Sequence, residues 1–324
     1  LTARGKGVDQ KIIGMLSSYK NLAQIDWLWK QTPNHFGVWK NIQMLATASK
    51  PDFLLLYQYN FPQPQPPLPW WQNLFTQNSQ SSPTIPTVFN KIPQTNIIYL
   101  LREPPLEEIV EHNQANYQAA KQYCGYISGP DQFAPIPDYM PAIWYVNNSF
   151  QELATGNVPE KQKTCSWITS GISRTENHRQ RLAFLKLLQE NGVEFDLYGR
   201  NLPAWSNNLG TVQNKWNAMA PYYYNLAIEN YADNDLYVSE KLWDSLLSWC
   251  LPIYYGGSAA DKLLPPGSFL RLPSLDEKGL NYIKEITSTL DAWYEAKDKI
   301  AEARQIILHK LNLLEWLANF VEQF

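Results

Sequence analysis

A serine, a glutamate and a lysine, Ser239-Glu240-Lys241, stand where an apolar helix has to begin, in the run YVSEKLWDSLLSWCLPIYYGG from Tyr237 to Gly257. Serine is a good N-cap, so Glu240 and Lys241 fall in the first turn, whose free N–H groups and positive dipole end attract anions. Glu240 alone would satisfy that end. Lys241 is locally unfavourable there, and makes sense if a polyanion such as a pyrophosphate recruits it. On these residues alone, a phosphate site and an ordinary surface ion pair both stay open.

Other residues could join such a site. AIENYADNDLY follows an apolar run directly, so Asn230 and Tyr237 should project from the carboxyl end of a strand, as a ligand-facing loop does. Arg179 and Arg181 lie on ENHRQRLAFLKLLQENG. Arg181 is a candidate second phosphate cation, because a guanidinium binds phosphate oxygens in bidentate fashion; a solvated helix face is the plainer reading. Glu103 ends the apolar run TNIIYLLREPP and is pinned by Pro104 and Pro105. A carboxylate held rigidly at a strand end is a candidate general base, or simply a polar strand terminus. PQPQPPLPWWQ, residues 62–72, must be extended because proline fixes φ and removes donors. It is either a surface loop or an acceptor-binding lip with Trp70 and Trp71 as stacking platforms.

Positioning these groups requires strands and helices in alternation, and the chain supplies it twice. KIIGMLSSY reads as a strand, VWKNIQMLATASK has helical spacing through Ile42 and Leu45, and PDFLLLYQYNF and TNIIYLLREPP read as buried strands. A helix follows in LEEIVEHNQANYQAAKQY, then a proline-broken stretch leads to a junction around residues 147–163. CSWITS restarts the pattern as a strand. The next helix carries Leu182, Leu185 and Leu188 on one face and stops at Gly192. VEFDLYG, YYYNLAIEN and LPIYYGG read as strands, with the helix after Ser239 between the last two. FLRL follows, then a helix starting at Ser274 with Glu277 in capping-box position, and a helical tail over residues 290–324. The expected class is α/β: two doubly wound, Rossmann-like domains facing across a cleft, with a long C-terminal helical tail. The expected division is 1–155, carrying Glu103, and 156–324, carrying the Ser239 helix mouth and the terminal helices.

Composition narrows the chemistry. A net charge of −3 offers no global attraction to nucleic acid or to an anionic membrane. Neither G-x-G-x-x-G nor a P-loop occurs. The four histidines are scattered without metal-ligand spacing, so no metal is expected. Three widely separated cysteines form neither a disulfide framework nor a zinc site, and fit a reducing compartment. No run approaches the ~20 apolar residues of a membrane span, and no signal peptide opens the sequence. A cytoplasmic location is expected. The tail, with Leu311, Leu313, Leu314, Trp316, Leu317 and Phe320, is read as a packed helix crossing the domains, or as a peripheral membrane or partner contact.

IENYADNDLYVSEKLWDSLLSWCLPIYYGG followed by PPGSFLRL resembles the donor-binding signature of the α1,3/4-fucosyltransferases, glycosyltransferase family 10. The matching elements are Glu229-Asn230, Tyr237 to Lys241, Pro252 to Gly256 and Pro265 to Phe269. CSWITSGISRTENHRQRLAFLKLL and LLREPP look like further family segments; the first ninety residues match little. The resemblance implies a two-domain GT-B fold and an inverting transfer of L-fucose from GDP-β-L-fucose to a glycan hydroxyl, on a GlcNAc or Glc unit. It makes residues 1–155 the acceptor-binding side with the base and residues 156–324 the nucleotide-sugar donor side. It implies that Arg181 and Lys241 neutralise the donor pyrophosphate, with Arg179 replacing Arg181 if the register slips by two. Asn230 would hydrogen-bond a phosphate, Glu240 would bind ribose hydroxyls, Tyr237 would pack beside the nucleotide or sugar, and Glu103 would be the general base. No cofactor or bound metal is implied, and a Golgi-lumenal location follows if the chain is a trimmed catalytic domain. A different nucleotide-sugar donor, or an inactive sugar-binding relative, are the other readings.

Overall fold

The structure, a computed structural model, describes residues 10–19, 27–33, 36–62, 89 and 91–324. The Trp70–Trp71 expectation lies outside the described residues.

The first sheet contains β1 (Lys11–Leu16), β2 (Val38–Trp39), β3 (Ile42–Met44), β4 (Phe53–Tyr57), β5 (Ile97–Leu100), β6 (Tyr126–Gly129) and β7 (Ile136–Pro137). Their order is β2-β3-β1-β4-β5-β6-β7, parallel throughout except for β2 against β3. β4 explains why its sequence is a continuous apolar run. Phe53, Leu55 and Tyr57 enter the main core, while Leu54 and Leu56 enter a second core on the opposite face. A strand covered on both sides needs apolar residues at every position. Helix α1 (Val110–Ala120) follows β5, and α2 (Phe150–Thr155) leads out of the sheet under a Ser149–Glu152 capping box.

The second sheet contains β8 (Lys163–Ile168), β9 (Asp196–Tyr198), β10 (Tyr222–Ile228), β11 (Leu251–Tyr255) and β12 (Leu270–Arg271), all parallel, in the order β12-β11-β10-β8-β9. Its helices are α3 (Glu176–Glu190), α4 (Glu240–Leu247), α5 (Ala259–Leu263) and α6 (Glu277–Thr287). After β8 the chain winds to β9 on one side, and from β10 onward it winds to the other. The carboxyl ends of β8 and β10 therefore flank a switch point, where parallel sheets open a crevice. Both halves are α/β sheets flanked by helices, as expected.

Three local readings need correction. The VWKNIQMLATASK segment is a hairpin, β2–β3, not a helix. Ile42 and Met44 are buried while Gln43 between them is half-exposed, a period of two, and Lys40 takes a positive φ of 49° in the turn. Helix α6 is capped by Asp276 rather than started at Ser274: the Asp276 carboxylate accepts the Lys278 and Gly279 N–H groups, and the Ser274 hydroxyl donates to Asp276. The tail is not one helix. It comprises α7 (Asp291–Ile306), a π-helical turn (Ile307–Leu311) and α8 (Leu313–Val321).

The break at Asn312 returns the chain to the first sheet. Asn312 is fully buried; its amide donates to Gln31 O at 2.9 Å, and its side-chain oxygen accepts the Leu314 N–H at 2.9 Å. Ala142 pairs with the main chain on either side of it. Helix α8 then lies against β2 and β3, where the Trp39 indole donates to Glu315 at 2.8 Å, and Trp316 and Phe320 contact Tyr126. The tail thus crosses between the halves, and no helix among the described residues is long and apolar enough to cross a membrane. Asn312→Ala should cost about 2–3 kcal/mol, a lost cap plus an orphaned buried carbonyl, read as a lower urea midpoint at unchanged m-value.

Candidate functional site

The carboxyl ends of both sheets face one cavity of about 670 Å³. Its lining includes Glu103, Arg181, Asn230, Tyr237, Glu240 and Lys241, six candidate residues drawn from four separate segments of the chain. Tyr19, Arg102, Tyr145, Arg200 and Lys215 line it too.

On the second sheet, β10 ends at Ile228 and the next residue, Glu229, is buried. Its carboxylate accepts the Ser239 N–H at 2.7 Å and the Ser239 hydroxyl at 2.6 Å, and Lys241 Nζ lies 3.2 Å away. One buried acid therefore fixes both the cap of α4 and the lysine of its first turn. Gly256 faces it closely: a Cβ there would sit 2.6 Å from Glu229 Cγ and 2.2 Å from Tyr254 Oη, so no larger residue fits. Tyr237 is buried just before the cap, with its ring edge toward Tyr231.

Arg181 sits on the buried face of α3 with Phe184, Leu185 and Leu188. Its guanidinium reaches the strand ends, donating to Asn230 Oδ1 and to Ser170 O, the latter at 2.9 Å. Arg181 is 2% exposed, pairs with no carboxylate among the described residues, and its Nε–H has no partner. Burial lowers its pKa to about 10, which leaves it charged at neutral pH and at a cost in stability. A buried cation without a carboxylate partner, in a cavity also lined by Lys241, is an arrangement that an anionic ligand would complete. Arg179, the alternative, is exposed and pairs with Glu176 at 2.8 Å; it does not line the cavity.

Glu240 joins the two halves. One oxygen accepts from Arg102 Nη2 at 2.8 Å, and the other lies 3.8 Å from both Lys215 and Lys241. Burial alone would raise its pKa, but Lys241, Lys215 and Arg102 overturn that and hold the carboxyl far below the usual range. Lys215 is itself paired with buried Asp244 at 2.8 Å, and Asp244 accepts the Tyr145 N–H at 2.6 Å. Opposite, Arg102 Nη1 donates to the Tyr57 hydroxyl at 2.5 Å. Gln58 Oε1 accepts the N–H groups of both Arg102 and Glu103, at 2.7 and 3.0 Å, so the strand end bearing Glu103 is fixed from the backbone. The Glu103 carboxylate accepts the Tyr19 O–H.

Sequence reasoning did not single out Lys215, Arg200, Tyr19 or Tyr145. Lys215 lies in NKWNAMA, which carries no pattern of charge or spacing, and its ion pairs with Asp244 and Glu240 are what mark it. Among the described residues no group of three or more His, Cys, Asp or Glu side chains could hold a metal ion, and Cys124, Cys165 and Cys250 are free and buried.

Two α/β sheets, parallel but for β2, whose carboxyl edges share a cationic cleft define a GT-B-like, two-domain class of protein. Residues 158–295 match the model of glycosyltransferase family 10 (fucosyltransferase) C-term, and through that segment the chain is family-10-like. That segment includes Arg181, Asn230, Tyr237, Glu240 and Lys241; Glu103 lies outside it. Alpha-(1,3)-fucosyltransferase C of Drosophila melanogaster is 34% identical over 110 residues, 34% of this chain and 24% of the relative. Alpha-(1,3)-fucosyltransferase FucT of Helicobacter pylori is 30% identical over 121 residues, 35% and 25% respectively. The matched regions thus span about a quarter of the length of these relatives. A crystal structure of an alpha1,3-fucosyltransferase with GDP-fucose aligns with 100% of this chain and 92% of its own, at 16% identity and a TM-score of 0.47.

The charge cluster sets an acid limit. Because the folded pKa of Glu240 is depressed, its contribution is present above the ordinary glutamate value of ~4.3 and is lost as pH falls below it. Thermal melts from pH 7 to pH 3 should show Glu240→Gln starting lower than wild type at pH 7 and losing less below pH ~4. Parallel curves would remove Glu240 as a source of acid sensitivity.

Proposed function

We propose that this chain is an inverting glycosyltransferase that transfers L-fucose from GDP-β-L-fucose to a hydroxyl of a glycan acceptor, on a GlcNAc or Glc unit. The observation that carries the reading is Arg181, a buried cation with no carboxylate partner among the described residues, lining the same cavity as Lys241 and Glu103. The family-10 match over the donor-side segment supports the choice of donor. The division near residue 155 then separates an acceptor side bearing the base from a donor side, with α8 returning to the first sheet.

In this reading the diphosphate lies at the switch point of the second sheet, between Arg181, Lys241 and the N-terminal N–H groups of α4. Asn230, already held by Arg181, donates its amide to a phosphate oxygen, Glu240 accepts from ribose hydroxyls, and Tyr237 packs beside the nucleotide. Glu103 takes the proton of the acceptor hydroxyl as that oxygen attacks the anomeric carbon from the face opposite the leaving group. The carbon–oxygen bond to GDP breaks, and the charge that collects on GDP is received by cations fixed in place beforehand. A sugar bound β on the donor leaves bound α on the acceptor. The donor needs no metal-binding carboxylates where two side chains and a helix end supply the positive charge.

GDP should raise the melting temperature of the wild-type chain, and Lys241→Ala should abolish that rise on a lowered ligand-free melt, because buried Glu229 loses its counter-ion while keeping its two bonds from Ser239. An undiminished response to GDP in that variant would remove Lys241 from the donor site. Glu103→Gln should retain the GDP response and lose transfer by at least ~100-fold; turnover near wild type would place the base elsewhere.

A further inference from the structure

Tyr19 belongs to the part of the chain with little family resemblance, yet its hydroxyl reaches the candidate base. Its O–H donates to Glu103 Oε1, and both residues line the cavity. No hydrogen bond occupies Glu103 Oε2 among the described residues. The tyrosine is held from several directions. Its N–H donates to Ser17 Oγ, the Ser18 N–H donates to Gln58 O, and the Asn60 N–H donates to Ser18 Oγ. Its ring meets the edge of Tyr57, whose hydroxyl accepts from Arg102. The loop after β1 is thus laced to the loop after β4, and Gln58 of that second loop fixes the main chain of Glu103.

We infer that Tyr19 is the positioning residue for Glu103: its O–H holds one carboxylate oxygen, which sets the carboxylate plane and leaves the other oxygen for the acceptor hydroxyl. The inference rests on the reading of Glu103 as the base. Two restraints of different kind converge on that residue, Gln58 on its backbone and Tyr19 on its side chain. The backbone restraint alone leaves the side-chain torsions of Glu103 free, and a base displaced by about 1 Å can lose roughly 100-fold in rate. A phenol suits this task. Burial pushes its pKa far up and the neighbouring Glu103 charge adds to that, so it stays protonated and can only donate to the carboxylate. It holds the base without competing for the proton the base must take.

The test is release of GDP from GDP-β-L-fucose, with a GlcNAc-containing glycan or water as acceptor, by wild type, Tyr19→Phe, Glu103→Gln and the double variant. Tyr19→Phe keeps the ring against Tyr57, so its melting temperature and GDP affinity should match wild type. Its kcat should fall roughly 10- to 100-fold, the kinetic equivalent of a lost hydrogen bond to a charged group. The double variant should be no slower than Glu103→Gln alone, because a residue that acts only through the base has nothing left to position. Normal turnover in Tyr19→Phe beside a deficient Glu103→Gln overturns the inference and leaves the base intact. So does an additive loss in the double variant, which would mark a structural role. Near-normal turnover in Glu103→Gln, or a wild-type chain that releases no GDP, overturns the reading beneath it.

Discussion

The contact between Arg102 and Glu240 joins the strand end that carries Glu103 to the helix mouth that carries Lys241. A buried guanidinium and a half-buried carboxylate are costly to desolvate, and they persist only where further partners complete them. Arg102 is completed by the Tyr57 hydroxyl and by the faces of Tyr57 and Tyr145, whose ring centroids lie 5.9 and 5.5 Å away. Glu240 is completed by Lys215 and Lys241, Lys215 by Asp244, and Lys241 by Glu229. In this cluster Arg102, Lys215 and Lys241 are matched by Glu240, Asp244 and Glu229. Arg181 stands outside the matching, which is why the donor half of the cavity retains positive charge after its internal pairs are formed.

That pairing requires the two sheets to keep their relative position, and the tail is built to hold them. Arg304 on α7 donates to Leu247 O at the end of α4 and to Leu153 O in α2, at 3.1 and 2.7 Å, and its guanidinium lies over the Trp249 ring. The Trp293 indole donates to Trp249 O. Beyond Asn312 the chain lies on the first sheet. One segment therefore touches both halves with buried hydrogen bonds, and the cleft geometry rests on it as much as on the ion pair. The buried apolar residues of the tail are thereby used in packing against both halves.

The second half was legible in the sequence because its information is local. Ser239, Glu240 and Lys241 are consecutive, their cap and dipole logic is confined to one turn, and the strand that positions Asn230 adjoins it directly. Glu103 was legible for the same reason, as a carboxylate pinned between an apolar run and two prolines. What the sequence hid is non-local. Tyr19 meets Glu103 across 84 positions, and Arg102 meets Glu240 across 138; neither separation leaves a periodic trace. The β2–β3 hairpin was missed because a short apolar run reads equally well at a helical or a strand period, and the positive φ of Lys40 has no marker such as glycine. Glu229 was quoted within the motif but not weighed, although a buried acid beside a lysine is what holds that lysine in place.

Arg102 and Glu103 are neighbours in the bend that follows β5, and their side chains take different partners, Glu240 for the first and Tyr19 for the second. One therefore reaches the donor wall while the other stays with the loops of its own sheet, where Tyr19 holds it. The Gln58 side chain binds both their N–H groups, so neither residue can shift its backbone without moving the other. A displacement of the second sheet that loosens Glu240 from Arg102 would be passed through this shared backbone restraint to the base. Arg102 therefore connects Glu103, through Gln58, to Glu240 on the other half. The placement of Glu103 is carried by a glutamine, a tyrosine and the ion pair one residue away.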